Sequence, residues 1–177
     1  MRILEETLSD IPSAVPYNED SLDKKDMTAV LLVAGFSGFG LHTLLSIVRN
    51  FPGLYKNFIF VSVGEIDSGS FKGRAAVEAL KISVRESLEK YVKITRKHGF
   101  PADYRMDIGT DVVETATDLC ESVVREFPRS TVFAGKLVFQ RENVFQKILH
   151  NETAFAIQRR LQWNGVTSVV LPIRVGI

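Results

Sequence analysis

Cysteine is almost missing from this chain: Cys120 is the single one among 177 residues. That excludes an internal disulfide and a zinc site built on cysteine pairs, and it removes the usual sign of secretion. Long hydrophobic runs are missing as well. No stretch approaches the roughly 20 apolar residues of a membrane helix, and the opening MRILEETLSDIPS has no signal-peptide apolar core. A soluble chain is the expectation. Charge of one sign is not in excess, with 22 Lys and Arg against 21 Asp and Glu. Such a balance argues against a nucleic-acid binder that works through phosphate contacts. Histidine is scarce: His42, His98 and His150 start, end and precede helical segments, and none stands at a metal-ligand spacing. Ser37 lies in F-S-G, outside the G-x-S-x-G of a nucleophile elbow. A P-loop Gly-Lys-Ser/Thr is absent too.

What is present suits one globular domain with a real core: 45% hydrophobic and 24% charged residues. Residues 1–27 differ from the rest. They hold Pro12 and Pro16, are acidic and show no sustained period, so they read as a linker or arm. The domain then covers residues 28–177.

That domain is organised around AVLLVAGFSGFG, Ala29 to Gly40. Val30 to Val33 are all apolar, as in a strand buried on both faces. Gly35, Gly38 and Gly40 follow, and then Leu41, Leu44, Leu45 and Val48 at helical spacing. Strand, glycine turn and helix form a unit whose turn sits at the carboxyl edge of a sheet, where ligands bind in open α/β folds. The glycines permit positive φ and close backbone approach, and the helix amides favour an anion. The spacing is G-x-x-G-x-G, which differs from the dinucleotide G-x-G-x-x-G. A tight turn that merely needs glycine is the plainer reading.

Phe51-Pro52-Gly53 ends this helix, and Phe58 to Val63 reads as a second strand. The loop Gly64 to Ser70 carries Glu65 and Asp67, which could bind a metal or orient a ribose but equally suit a solvated loop. A long helix follows over Phe71 to His98, with Val77, Leu80, Val84, Leu88 and Tyr91 on its apolar stripe. Gly99 and Pro101 stop it. Ala102 to Asp107 alternates weakly and suits the edge of a sheet. Asp111 and Glu114 have capping-box spacing ahead of a third helix whose apolar face includes Cys120, read as a small buried hydrophobe. Thr131 to Ala134 is the fourth strand, closing at Gly135-Lys136. Leu137 to Leu149 reads as an insertion. Asn151 reads as the N-cap of a fourth helix over Glu152 to Trp163, and Val166 to Ile173 as the fifth strand.

The alternation predicts an α/β fold: a doubly wound, five-stranded parallel sheet of order 3-2-1-4-5 with helices on both faces. The switch point between the first and fourth strands brings Gly35 to Gly40 near Gly135-Lys136 and the start of the fourth helix. The candidate ligand-binding residues are therefore Gly35, Ser37, Gly38, Gly40, Gly135, Lys136, Asn151, Glu152 and Thr153.

The pattern resembles the universal stress protein fold, which is Rossmann-like. The wording is similar to the cytoplasmic C-terminal domain of some bacterial amino acid–polyamine–organocation permeases. The blocks that carry the resemblance are LHTLLSIVRNFPGLYKNFIFVSVGEIDS (Leu41 to Ser68), GTDVVE (Gly109 to Glu114), EFPRSTVFAGKLVF (Glu126 to Phe139) and LHNETAFAIQRRLQ (Leu149 to Gln162). The resemblance implies a soluble regulatory or assembly domain at the cytoplasmic face of the inner membrane, with no chemistry of its own. Its partners would be the permease's transmembrane domain and a second copy joined through the last strand, with membrane contact only through the transporter.

Stress proteins bind ATP through G-x-x-G, a spacer, and Gly-Ser or Gly-Thr opening the last helix. Here Gly135 matches the first glycine, Val138 or Phe139 stands near the second, and Asn151-Glu152 takes the helix-opening place. The acidic residue that follows the family's first strand is replaced by Gly35-Phe36-Ser37. A carboxylate at a phosphate-binding helix end repels phosphate. No cofactor is therefore expected. The second reading is a nucleotide or small-anion sensor using Gly35 to Gly40 with Lys136. The third, a small α/β enzyme, lacks an acid–base pair.

Overall fold

The computed structural model describes residues 22–66, 73–138 and 147–174, with the backbone alone for 136–138, 147–151 and 174. Most of the arm, Asp67 in the polar loop, and the middle of the expected insertion lie outside the described residues. The elements alternate strictly: β1 (Thr28–Leu32), α1 (Gly38–Asn50), β2 (Asn57–Glu65), α2 (Arg74–Lys97), β3 (Ala102–Gly109), α3 (Val112–Glu126), β4 (Ser130–Val138), α4 (Lys147–Trp163) and β5 (Ser168–Arg174). All strand pairs are parallel and the order is β3-β2-β1-β4-β5, as expected.

β1 is central because it is apolar on both faces. Its even and odd residues feed two separate cores, as the two-residue period of a strand requires. Ala29 and Leu31 join Phe58, Phe60 and Phe133 beneath α1 and α2, where Leu44, Ile47, Leu88 and Tyr91 cover them. Val30 joins Ile59, Val61 and Val132 beneath α3 and α4, covered by Ala116, Cys120, Val123, Ile157 and Leu161. Register aligns Val30 with Ile59 on one side and Val132 on the other, so the central layer is continuous. β3 is a sheet edge among the described residues, and its side chains are mostly half-buried, in keeping with its polar sequence.

Three boundaries differ from expectation. β4 does not close at Gly135-Lys136; it runs on to Val138 because β5 pairs alongside, Gly135 opposite Leu171 and Val138 opposite Arg174. The fourth helix does not open at Glu152; α4 starts at Lys147. Asn151 is therefore its fifth residue and cannot be an N-cap. No Gly or Pro stands between Lys147 and Glu152 to break the helix, and Asn inside a helix costs less than about 1 kcal/mol relative to Ala. The long helix α2 begins at Arg74, and its first half buries nothing completely; Leu88 is the first fully covered residue.

α2 ends at a true stop: Gly99 has φ +81°, a left-handed backbone that glycine adopts without strain. At the start of α3 the Asp111 carboxylate accepts from the Glu114 amide at 2.9 Å, the cap that the spacing predicted.

Candidate functional site

The turn after β1 is built around a residue from another helix. Val33 still donates to Val61 in sheet fashion, after which the chain bends through Ala34, Gly35 and Phe36. Ser37 is extended (φ −150°, ψ 159°) and caps α1, its hydroxyl accepting from the Gly40 amide at 3.3 Å. Into this bend reaches Tyr91 of α2, with no exposed surface at all. Its hydroxyl donates to the Gly35 carbonyl at 2.7 Å and accepts from the Ser37 amide at 3.1 Å. One phenol thus satisfies two backbone groups that would otherwise seek water or a ligand. The ring stacks on Phe60 (centroids 5.1 Å apart, planes 15° apart) and tilts against Phe36 at 5.0 Å. Burial pushes the Tyr91 phenol above its ordinary pKa, with the Ser37 contacts pulling weakly the other way. It therefore stays protonated and neutral at physiological pH and remains a donor. The Lys90 ammonium lies 5.7 Å over the outer ring of the pair, Phe36.

The glycines of this region serve that packing. Gly35, Gly38 and Gly40 all have ordinary negative φ, so the turn does not use the positive values that glycine permits. Gly40 is required by proximity: a Cβ there would overlap the Tyr91 hydroxyl. Gly35 has open space where a side chain would stand, and Gly38 is an exposed residue in the first turn of α1. On the neighbouring strand, a Cβ at Gly135 would come 2.5 Å from Phe39 Cζ and 2.6 Å from Thr43 Oγ1. Gly135 is thus small so that the first turn of α1 can lie on β4. Thr43 is itself locked there, its hydroxyl donating to the Phe39 carbonyl at 3.0 Å. At both glycines, close backbone approach is used by an aromatic side chain of the chain itself.

The structure brings together Gly35, Ser37 and Gly40 around Tyr91, and seats Gly135 against α1. Lys136 follows in β4, with its side chain outside the described residues. Asn151, Glu152 and Thr153 sit inside α4 rather than at its opening. Glu152 is exposed and lies beyond the first turn, so it does not occupy the electropositive end of the helix that the sequence assigned to it. The residues that sequence reasoning missed are Tyr91 and Phe39. Tyr91 was legible only as a member of the apolar stripe. The available signal was its hydroxyl, since a buried tyrosine has to place that group on a partner.

Elsewhere the chemistry is quiet. Cys120 is buried against the sheet, and burial pushes its thiol up to about 12, far from a thiolate at neutral pH. His98, at the end of α2, has its pKa lowered by partial burial and by Lys97. Glu65 is exposed at the end of β2. Among the described residues no group of three or more His, Cys, Asp and Glu is placed to hold a metal ion, and no helix is long and apolar enough to cross a membrane.

No family model matches the chain, and no curated protein is significantly similar to it in sequence. Solved structures do match by fold. A protein of the universal stress protein family from Burkholderia pseudomallei aligns with TM-score 0.57 over 82% of this chain and 95% of its own, at 16% identity. A universal stress protein from Archaeoglobus fulgidus aligns with TM-score 0.53 over 84% and 94%, at 15% identity. At such identities the likeness is one of architecture: the chain has the fold of the universal stress proteins, strand order included.

Proposed function

We propose that this chain is a non-catalytic regulatory or assembly domain of universal stress protein architecture that serves an amino acid permease at the cytoplasmic face of the membrane. The observation that supports a turn used for packing is that Tyr91 bonds the Gly35 carbonyl and the Ser37 amide from the core side, and that Phe39 stands where a side chain at Gly135 would lie. The permease half rests on the resemblance of the blocks from Leu41 to Gln162. Assembly is supported by β5, which has one strand neighbour among the described residues and carries half-buried Val169 and Val170. Such an edge invites a second strand, and a homodimer through it is the expected form. Light scattering should give twice the chain mass, falling to the chain mass in Val170→Lys. A monomer at high concentration overturns the dimer.

The permease assignment is tested on the coding frame upstream of Met1. Apolar segments of about 20 residues each, in continuous frame, are the expected finding. A frame that stops before Met1, together with no permease recovered with the full chain from membranes, overturns it. The second reading, a small-anion sensor, draws on the exposure of Ser37 and Gly38 at the start of α1. It predicts that phosphate or a nucleotide raises the melting temperature, which the first reading does not.

A further inference from the structure

Residues 22–27 were read from the sequence as the end of a loose arm, yet three separate elements converge on them. The side-chain amide of Asn57, fully buried at the start of β2, donates to the Asp23 carbonyl at 2.7 Å and to the Thr28 hydroxyl at 3.0 Å. Arg129, between α3 and β4, donates to the Lys25 carbonyl at 3.0 Å, and its own carbonyl accepts from the Thr28 amide at 2.9 Å. The Lys24 ammonium pairs with Glu126 at 3.5 Å and lies 6.0 Å from the centre of the Phe127 ring. Glu126 is held in place from the far side by Arg105 at 2.9 Å, which also grips Asp103 at 2.7 Å. Within the segment, Asp23 closes a turn, accepting from the amides of Lys25 (2.8 Å) and Asp26 (3.1 Å). Leu22 packs on the core beneath α3 and α4, and Met27 on the core beneath α1 and α2.

We infer that residues 22–27 form a docked strap that fixes where the chain enters the amino edge of the sheet. A loose arm would need no side chains aimed at its carbonyls. Here a fully buried asparagine and an arginine each spend a donor on them. The strap touches β2, α3 and the loop after α3, and it lies at the edge opposite the Tyr91 turn. The chain therefore enters the domain at a fixed point on the amino edge, clear of the carboxyl edge. This inference stands whether or not a permease precedes the chain.

Hydrogen exchange of the full chain, read by mass spectrometry on peptides spanning residues 22–28, tests the strap. In the wild type these amides should exchange at least about tenfold more slowly than in an unstructured peptide of the same sequence, because exchange requires the strap to open. The double substitution Lys24→Ala with Arg129→Ala alters two exposed side chains and should speed exchange of the Lys25 and Asp26 amides at least about threefold, short of the free-peptide rate because the Asn57 contact to Asp23 remains, while the β1 amides from Thr28 on and the β4 amides stay protected. Trypsin cleavage after Lys25 should accelerate in parallel. Wild-type amides exchanging at the free-peptide rate overturn the strap, as does a folded double variant with unchanged exchange. Should the double variant not fold, the wild-type rate alone decides.

Discussion

The two ends of the sheet are held by opposite kinds of chemistry. At the carboxyl edge a neutral, fully buried phenol ties the turn to α2, surrounded by Phe36 and Phe60. At the amino edge, Lys24 pairs with Glu126 at the end of α3, and Arg105 of β3, itself paired with Asp103, holds that carboxylate, all partly exposed ions. The first depends on packing and shape, and salt and pH scarcely reach it. The second adds to the buried Asn57 amide a set of surface pairs, weak individually and sensitive to both. The carboxyl edge, where open α/β sheets take ligands, is thus closed by packing, and the amino edge, where the chain enters, carries contacts that salt and pH can adjust.

That contrast can be broken most forcefully at Tyr91. Tyr91→Ala removes a ring buried between Phe36 and Phe60 and should cost about 3–5 kcal/mol in denaturant unfolding. A cost below that of a surface pair would mean the turn is not anchored by it. Next in size, Gly40→Ala drives a methyl into the Tyr91 hydroxyl and should cost about 1–3 kcal/mol through overpacking. The matching change at Gly35, where space is open, should be near neutral. Equal costs at the two sites would remove the packing account of the turn. Tyr91→Phe keeps the ring and deletes the hydroxyl; about 1 kcal/mol is expected, together with faster exchange of the Ser37 amide.

The smallest effect belongs to the amino edge. The Arg105 guanidinium, with Lys24 beyond it, holds the Glu126 carboxyl below its ordinary pKa against a modest burial penalty. A carboxyl whose pKa is depressed on folding stabilises above its unfolded pKa, and that stability is lost as pH falls through the folded value. Glu126→Gln should therefore cost about 0.2–1 kcal/mol at neutral pH, less in high salt, and nothing once the pH is below the carboxylate range. The Tyr91 variants should show costs independent of salt, and a salt-dependent cost there would blur the distinction between the two ends.

Most of the architecture was legible because it rests on local pattern. Val30 to Val33 mark a central strand by being apolar on both faces. The weak alternation of Ala102 to Asp107 marks an edge, and Asp111 three residues before Glu114 marks a cap that forms. What escaped is non-local. β4 passes Gly135 because β5 lies beside it, and no feature of the residues from Gly135 to Val138 announces that pairing. Asn151 has the chemistry of a cap, but a helix that already started at Lys147 overrides a local preference. The glycine turn was found for a reason only partly right: one of its glycines, Gly40, makes room, but for Tyr91, which lies more than fifty positions away in sequence. A glycine pattern reports that something approaches the backbone closely. It does not say whether that is a phosphate or a tyrosine.

Titration calorimetry of the full chain with magnesium ATP at neutral pH tests most directly whether the turn is closed by the chain itself. A turn used for packing by Tyr91 and Phe39 should bind it no more tightly than millimolar, a free energy of roughly 4 kcal/mol. A micromolar dissociation constant, about 8 kcal/mol, would show that a nucleotide finds a site in spite of them, and would contradict the account.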